Sequence, residues 1–368
     1  MGSEALLYGY GAVCLSMLVF NIVNSMVMKK QEMRLERKCR ILAGQVEIQL
    51  ERIREGGSVD EKHIRYLSWK LSHIKNLVAF DHVMETCLEN DREPGAGEYK
   101  KQIQPVILHL AVVYLRRETM QSAYFAYFLS RNGLQSYMAV DALEDILVQY
   151  MRKQNLYCRV NALDALCGFG SGESVVKALM LLNQEGGFIH EKILTDGLLA
   201  FNGSHDQLMG LLWDKFDRFS GRMQMVILNY TRFKSGGYCE SMFRIMVDPG
   251  RDKEQRLLAI RYFGRYFYEP AKESLLAFAL DQNPLNWEYA AVSVSSLASY
   301  PGEQVVTALI DAVHSSNWYV RYNAAASLES HEDYDWEWMD AAGGNDRYAR
   351  EMLMYRLELN NARKGGRL

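Results

Sequence analysis

The chain has 368 residues, of which 49% are hydrophobic and 24% are charged, and these proportions exclude a disordered or low-complexity protein. Its formal net charge of -3 argues against a general nucleic-acid binder, which normally carries a basic face and a high isoelectric point. Only six prolines accompany 27 glycines, and most of the glycines separate apolar periodic segments, so a mostly helical chain is predicted.

The first predicted element is a transmembrane helix. No charged residue lies between Ala5 and Met28, and this stretch is long enough for the hydrocarbon core of a bilayer, which takes roughly 20 apolar residues. A cleaved signal peptide is the alternative, although the start of the chain lacks the basic residues and the small-residue cleavage site of such a signal.

Basic residues follow the apolar stretch directly, at Lys29, Lys30, Arg34, Arg37, Lys38 and Arg40. By the positive-inside rule they predict that the amino terminus is outside and that the long carboxy-terminal part is cytoplasmic. The same residues would lie against anionic lipid headgroups.

Two amides lie within the predicted span. Asn21 and Asn24 fall on one helix face, because residues three or four apart point to the same side. A polar face in lipid predicts contact with a transmembrane helix of a partner. The alternative is that both side chains are hydrated at the cytoplasmic interface, since Asn24 lies close to the charged border.

Beyond the span, apolar residues at steps of three and four predict that the helix continues to Arg54 as an amphipathic segment. This segment could lie on the membrane, pack on the folded part or pair with a second copy. Two glycines end it. Ser58 and Glu61 then predict a capping box, and one long helix is expected from there to about residue 90.

The best predicted linker is 90–98, which contains a proline and two glycines. Beyond it we expect helices in pairs, at 99–116, 119–129, 136–152, 157–167, 174–184, 191–201, 206–216, 223–232, 238–247, 253–266, 270–280, 287–298, 303–313, 319–328 and 346–360.

Two near-copies indicate that the chain is repetitive. Asn286-Trp287 and Asn317-Trp318 each open a segment that runs through small residues and closes on Ser-Leu. Repetition at a fixed offset is the signature of stacked structural repeats.

A longer match extends the pattern. Residues 155–166 match 317–328 in the placement of two asparagines, an arginine, an alanine and the closing leucine, and Arg256 and Ala259 keep the same spacing in a third helix. These residues resemble the second helix of a HEAT repeat, which opens with Val-Arg and continues through Ala to an apolar residue. The resemblance covers 155–328 and, more loosely, the chain back to Tyr99.

The resemblance implies an all-α fold, a right-handed α-α superhelix in which each helix pair buries its apolar face on its neighbours. The expected segments are an anchor at 1–28, a juxtamembrane amphipathic helix at 29–57, a long helix and linker at 58–98, HEAT-like repeats at 99–330, and a carboxy-terminal cap with a basic tail at 331–368. The family's Asp-to-Arg ladder is expected to be broken, because Ser315 and Ala290 stand where an Asp and an Arg are typical.

One second helix is the first candidate for partner binding. Arg261, Tyr262, Arg265 and Tyr266 are of the side-chain types that are enriched in interface hot spots, and the resemblance implies that second helices line the inner surface. The alternative is that the arginines are solvent-exposed and the tyrosines belong to the core.

Two aromatic features are further candidates. Trp287 and Trp318 occupy equivalent turn positions, where they either pack between repeats or form a binding edge. The acidic run at 332–340, with Trp336 and Trp338 between its carboxylates, is either a solvated face of the cap or a docking patch for a basic partner.

Catalytic and metal-binding patterns are missing from the sequence. The six cysteines form no Cys-x-x-Cys pair, which is typical of free thiols in a reducing compartment. The eight histidines give no His-Glu-x-x-His motif, and the glycine-rich stretch at 168–172 has neither the Lys-Ser/Thr nor the preceding strand of a phosphate loop. No metal, cofactor, nucleic acid or small-molecule substrate is therefore predicted.

The predicted function is a membrane-anchored cytoplasmic scaffold that binds a protein partner, with an integral membrane complex of envelope or polysaccharide synthesis as one setting that would suit it. Two alternatives of other classes stay open. One is a HEAT-like array that binds nucleic acid or modifies a cofactor as an enzyme, and the other is a self-associating structural protein.

Overall fold

The computed structural model describes residues 2–88, 94–137, 141–186, 189–331 and 344–365. All regular structure in these segments is helical and none of them contains a strand, which confirms the all-α prediction. Internal contacts divide the chain into unit 1, Met1–Ile189 with Ala200–Ser204, and unit 2, His190–Leu199 with His205–Leu368.

Unit 1 contains nine described α-helices and a short 3-10 turn at Leu134–Tyr137. The α-helices are α1 Gly2–Arg54, α2 Glu61–Leu71, α3 Ile74–Cys87, α4 Ala96–Gln102, α5 Gln104–Leu115, α6 Thr119–Arg131, α7 Asp141–Tyr150, α8 Leu156–Phe169 and α9 Gly172–Glu185.

Helix α1 is continuous over 53 residues, roughly 80 Å at 1.5 Å per residue. The described side chains between Tyr8 and Met28 are exposed, whereas Leu42, Val46 and Leu50 are fully buried against the rest of unit 1. Three alternatives were predicted for the amphipathic segment that follows the apolar stretch and ends at Arg54. The buried residues show that this segment packs on the folded part of unit 1. Among the described residues, α1 alone has the length and apolar composition to cross a membrane.

The long helix expected from Ser58 to about residue 90 is instead two helices, α2 and α3. Small polar side chains compete for backbone carbonyls at the break: Ser72 Oγ donates to Ser68 O at 2.7 Å, and Asn76 Nδ2 donates to Lys70 O at 2.8 Å. The predicted capping box is also wrong, because Asp60 is the N-cap and its carboxylate accepts from Lys62 N at 2.9 Å.

The helix expected at 99–116 is likewise divided, into α4 and α5. The break falls at Ile103. Pro105 is the second residue of α5, where its missing N–H is tolerated, whereas inside one continuous helix its ring would clash with the carbonyl four residues back. Beyond this point the helices alternate. First helices contact first helices, α5 on α7 and α7 on α9, and second helices contact second helices, α3 on α6 and α6 on α8.

Unit 2 has the same packing of second helices and contains ten described α-helices. They are α10 Glu191–Leu199, α11 His205–Trp213, α12 Gly221–Lys234, α13 Cys239–Val247, α14 Lys253–Phe263, α15 Lys272–Ala279, α16 Trp287–Ser296, α17 Glu303–Val313, α18 Trp318–Leu328 and α19 Arg347–Gly365. Each second helix packs on the next, from α10 through α12, α14, α16 and α18 to α19.

The core of each unit lies between these layers. Large aromatic residues are fully buried in both units, among them Tyr99, Phe80 and Phe128 in unit 1 and Tyr230 and Phe263 in unit 2. Small residues allow second helices to approach closely, and Ala162, Ala259 and Ala324, at equivalent places of the repeated pattern, are fully buried.

Candidate binding surface

Second helices are joined by side-chain bonds that recur at equivalent positions. Asn161 Nδ2 donates to Ala123 O at 3.0 Å in unit 1, and Asn323 Nδ2 donates to Ala291 O at 2.8 Å in unit 2. Ser296 Oγ and Ser327 Oγ, the serines that close the two near-copies, donate to carbonyls of the preceding second helix at 2.9 and 2.7 Å. The repeated sequence pattern therefore corresponds to a repeated contact.

The arginine of the repeated pattern also makes a recurring hydrogen bond. Arg159 Nε donates to Lys153 O at 2.6 Å, and Arg321 Nη1 donates to Ser315 O at 2.6 Å, in each case six residues back. Arg256 Nε reaches Met246 O at 3.0 Å. These arginines bind backbone carbonyls of the turn or helix before their own helix. Ser315, expected where the family has an Asp, accepts through its carbonyl oxygen, so this contact needs no carboxylate.

A cluster of arginines lies at the carboxy-terminal ends of α12 and α14, where helix dipoles favour cations. Arg232 comes from α12, Arg261 from the last turn of α14, and Arg265 follows that helix. None of the three forms an ion pair within the described residues. The Nε atom of Arg232 is buried without a hydrogen-bond partner. We call these three residues the arginine cluster.

Like charge is concentrated here. Burial lowers the pKa of Arg232, and the positive charges of Arg261 and Arg265 lower it further. The guanidinium nevertheless stays protonated at any physiological pH, because its ordinary pKa exceeds 12. The arginine cluster therefore presents fixed positive charge that no carboxylate of the described residues neutralises.

Aromatic rings hold the arginine cluster in place. The Phe233 ring lies 4.6 Å from Arg232 Cζ and 5.9 Å from Arg265 Cζ, and the Tyr266 ring lies 5.8 Å from Arg265 Cζ. Phe233 is 41% exposed. Gly236 lets the turn before α13 approach Tyr266, since a Cβ there would lie 2.8 Å from Tyr266 Cδ1. Stacked guanidiniums and half-exposed rings are typical of interface hot spots.

The sequence-predicted residues of α14 separate into two groups. Arg265 is exposed, and Arg261 and Tyr266 are half-buried at the surface. Tyr262 is fully buried and its hydroxyl accepts from Tyr238 N at 3.2 Å. Tyr262 therefore belongs to the core, because its neighbours on the helix turn its ring inward, and it is not available to a partner.

Sequence reasoning missed Arg232 and Phe233. They lie at the end of α12, and none of the segments in which the repeat pattern was recognised, 155–166, 317–328 and the helix with Arg256 and Ala259, includes them, so no register aligned them with Arg261 and Arg265. The sequence feature that could have identified them is the Arg-Phe-Lys run at the end of α12. It places a cation next to an aromatic ring, as Arg265-Tyr266 does.

The two tryptophans of the near-copies have different surroundings. Trp287 stacks on Tyr319 of the next second helix, with ring centroids 5.5 Å apart, and so packs between repeats. Trp318 stacks on Tyr322 of its own helix at 5.0 Å and is 49% exposed. The two indoles do not stack on each other, but Tyr319 contacts both, at 5.5 and 5.2 Å.

A local difference in capping explains the asymmetry. Asn317 is an N-cap whose side-chain Oδ1 accepts from Tyr319 N and Val320 N. Asn286 instead ends a 3-10 turn, and its Nδ2 donates to Asp281 Oδ2 at 2.7 Å. Trp287, Trp318, Tyr319 and Tyr322 form the aromatic rim of unit 2. Arg356 lies beside this rim, 5.0 Å from the Tyr322 ring, and its Nε and Nη2 donate to the two carboxylate oxygens of Glu329 at 2.7 and 2.8 Å.

The remaining predicted positions lie elsewhere. Asn21 and Asn24 are exposed on the apolar part of α1. The acidic run with Trp336 and Trp338 lies outside the described residues. Within the described ranges, no group of three or more His, Cys, Asp or Glu side chains could hold a metal ion, and all six cysteines are free thiols.

A comparison with models of known protein families gives no match to this chain, and no curated protein matches it.

Proposed function

We propose that the protein is a membrane-anchored HEAT-like helical-repeat scaffold that binds an acidic segment of a protein partner on the second-helix surface of unit 2. The apolar part of α1 crosses the bilayer with its amino terminus outside, and the helical units lie in the cytoplasm. Support for the anchor comes from the length and composition of α1 and from the basic residues that follow it.

Support for the repeat architecture comes from the recurring bonds between second helices. Equivalent asparagines and equivalent serines reach the same place on the preceding second helix. Contacts of this kind build a stack in which each unit touches its neighbours, and such stacks offer extended binding surfaces.

The arginine cluster is the observation that carries the binding proposal. Arg232, Arg261 and Arg265 repel one another, have no acidic partner among the described residues and lie against Phe233 and Tyr266. A partner carboxylate would remove the repulsion and accept from the unpaired donors. Guanidinium groups bind planar carboxylates bidentately, so an acidic peptide segment fits this chemistry.

Purification of the full chain in a mild detergent tests the proposal. We expect one protein to co-purify in stoichiometric amount with the wild type, and its yield to fall at least tenfold with R261E/R265E, because truncating or reversing charged hot-spot residues costs several kcal/mol. The matched control is R244E/R347E, which reverses two arginines whose side chains are 76% and 81% exposed on α13 and α19.

Three results would overturn the proposal. They are a chain that purifies alone under these conditions, equal losses in the control and the test variant, and a bound component that proves to be nucleic acid, shown by duplex binding with a steep salt dependence. Asn21→Leu with Asn24→Leu tests the membrane part separately. Weaker co-purification of a membrane partner is expected if these amides contact its transmembrane helix.

A further inference from the structure

The turn between α2 and α3 lies at the end of unit 1 that faces the apolar part of α1. Near its far end, α1 contacts the start of α2, since Arg52 pairs with Asp60 at 3.7 Å. Helix α2 runs back from there, and α3 then runs alongside α1, where Cys39 Sγ donates to Ala79 O at 3.6 Å. Lys75, one turn before Ala79 on α3, therefore lies about level with residue 35 of α1.

Two more turns lie beside this one. Tyr114 Oη, at the end of α5, donates to Leu71 O at 2.7 Å, which brings the α5–α6 turn next to the α2–α3 turn. Lys153 Nζ donates to Arg117 O at 3.3 Å, which adds the α7–α8 turn. Because second helices lie side by side, the three turns form a row across the axis of α1. We call this row the basic edge.

Charge on the two ends of unit 1 differs. The basic edge contributes Lys70, Lys75, Arg116, Arg117, Arg152 and Lys153, against one carboxylate, Glu118. At the opposite end of unit 1 the charges are mixed: the first helices begin with Glu61, Glu98, Asp141 and Glu173, and Lys62, Lys100 and Lys101 lie among them. Lys38 of α1 lies close enough to Lys70 and Lys75 for their charges to lower its pKa, after the larger effect of burial.

Large apolar side chains are exposed along the same row. Trp69 is 64% exposed and stacks edge-on with His73 at 6.2 Å. Met120, Leu156 and Tyr157, at the starts of α6 and α8, are exposed as well, and Asn155 Nδ2 contacts Met120 Sδ at 3.3 Å. Tryptophan and tyrosine next to lysine and arginine are the side chains that favour the bilayer interface.

The distance from the basic edge to the bilayer can be estimated from the length of α1 between Met28 and the level of Lys75. If the hydrocarbon core ends near Met28, the level of Lys75 is about 10 Å further along the helix at 1.5 Å per residue. The headgroup layer itself extends roughly 5–8 Å beyond the core. Extended lysine and arginine side chains at the edge therefore reach the anionic surface within one Debye length of about 8 Å.

We propose that the basic edge of unit 1 binds the anionic lipid headgroups of the membrane that α1 crosses, with Trp69 inserted at the interface. The inference rests on the proposed membrane span of α1 and is independent of the arginine cluster. Unit 1 would then be attached to the bilayer at two places, through α1 and through the basic edge. Each basic residue near the membrane surface adds to the electrostatic attraction.

Tryptophan quenching in proteoliposomes tests this proposal with the full chain. The protein is reconstituted in phosphatidylcholine vesicles with or without 30% phosphatidylglycerol, the phosphatidylcholine being brominated near the headgroup in both leaflets. Subtracting the fluorescence of W69F from that of the wild type gives the signal of Trp69 without that of the five other tryptophans. Helix α1 contains no tryptophan. We expect Trp69 quenching in the anionic vesicles and at least a threefold loss of it in K75E/R116E.

The matched control is K62E/K101E, which reverses two exposed lysines at the opposite end of the same unit and should leave quenching unchanged. Equal emission of wild type and W69F in anionic vesicles overturns the proposal. A Trp69 emission that is blue-shifted to the same extent in lipid-free detergent also overturns it, since a second copy would then cover the edge.

Flotation in 1 M salt separates this proposal from the membrane anchor. A wild type that stays with the vesicles in 1 M salt but shows no Trp69 quenching at low salt refutes the basic edge and leaves α1 as a span. A wild type that high salt strips from the vesicles refutes the span, and Trp69 quenching at low salt then still supports the edge as a peripheral contact.

Discussion

Among the described residues, a buried nitrogen without a hydrogen-bond partner occurs on one ionisable side chain of unit 1, His63, and on three of unit 2, Arg232, Arg321 and His331. His63 and Arg232 differ in how they can respond. In unit 1, His63 Nε2 shares a hydrogen bond with the Tyr99 hydroxyl at 2.9 Å, while Nδ1 is buried without a partner. In unit 2, the Nε atom of Arg232 is likewise buried without a hydrogen-bond partner. Burial lowers the pKa of both groups, that of His63 to about 4.

The difference lies in chemistry. A histidine with a pKa of about 4 is neutral at pH 7, so it behaves as a polar core residue and needs no counter-charge. An arginine keeps its charge and repels Arg261 and Arg265. Burial of an unpaired charge destabilises a fold unless something compensates for it. His63 is thus explained by packing, whereas the charge of Arg232 meets no carboxylate within the described residues, and the proposed acidic segment would supply one.

The largest expected effect concerns His63 and acid. Its folded pKa lies below the unfolded value of about 6.5, so its contribution to stability is fully present above pH 6.5 and is lost as the pH falls from there towards 4. Chemical denaturation at pH 7 and pH 4.5 should show that H63Q removes on the order of 2 kcal/mol of the wild-type pH dependence.

H73Q is the matched control, because His73 is exposed in the turn between α2 and α3. It should leave the pH dependence of unfolding unchanged. If H63Q and the wild type lose stability in parallel between these pH values, His63 is not the group that acid protonates, and the contrast with Arg232 fails.

A smaller and opposite effect is expected for Arg232. Replacement by Met removes a buried unpaired donor and its repulsion by Arg261 and Arg265, so R232M should raise the free energy of unfolding by about 1 kcal/mol. The same variant should weaken partner capture severalfold. Stabilisation with loss of binding is the signature of a residue kept for a ligand.

R222M provides the comparison on the same helix. Arg222 Nε lies 3.7 Å from a Glu191 oxygen in a partly exposed ion pair, and such pairs contribute little, so its loss should change stability by under about 0.5 kcal/mol. A destabilised R232M would show instead that Arg232 serves the fold, and the arginine cluster would lose its main support.

The last comparison tests a contact that both units share, and its expected effect is no larger than that of R232M. Asn161→Ala in unit 1 and Asn323→Ala in unit 2 each remove an equivalent bond to the preceding second helix. Each should cost about 1 kcal/mol of unfolding free energy. Gln154→Ala, exposed in the turn before α8, should cost nothing measurable. If the two alanine variants lose clearly different amounts of unfolding free energy, the two asparagine contacts are not equivalent.

Much of the architecture could be predicted from periodicity. Apolar spacing located most second helices within a few residues, and the end of α1 at Arg54 agrees with the glycines that follow it. The failures have local causes. Polar side chains that bind carbonyls divided the long helix at Ser72, and Pro105 divided the next one at Ile103, because both effects act through a few atoms and leave the apolar period intact.

The candidate surface was predicted in part. Arg261, Arg265 and Tyr266 lie at the surface as a hot spot requires, but Tyr262 is buried. Residues three and four apart on a helix lie on neighbouring faces, and the sequence did not say which of those faces meets the core. Arg232 comes from another helix, so its approach to Arg261 depends on how α12 packs on α14.

By itself the sequence determined the helical class, the apolar span within α1, the repeated Asn, Arg and Ala positions, and the basic residues beyond Met28, because these follow from composition and period along one chain. Only the tertiary structure decided which charges meet. It brought Arg232 to Arg261 and Arg265, and it lined up the turns of the basic edge beside α1. Side chains from separate helices come together only when those helices pack.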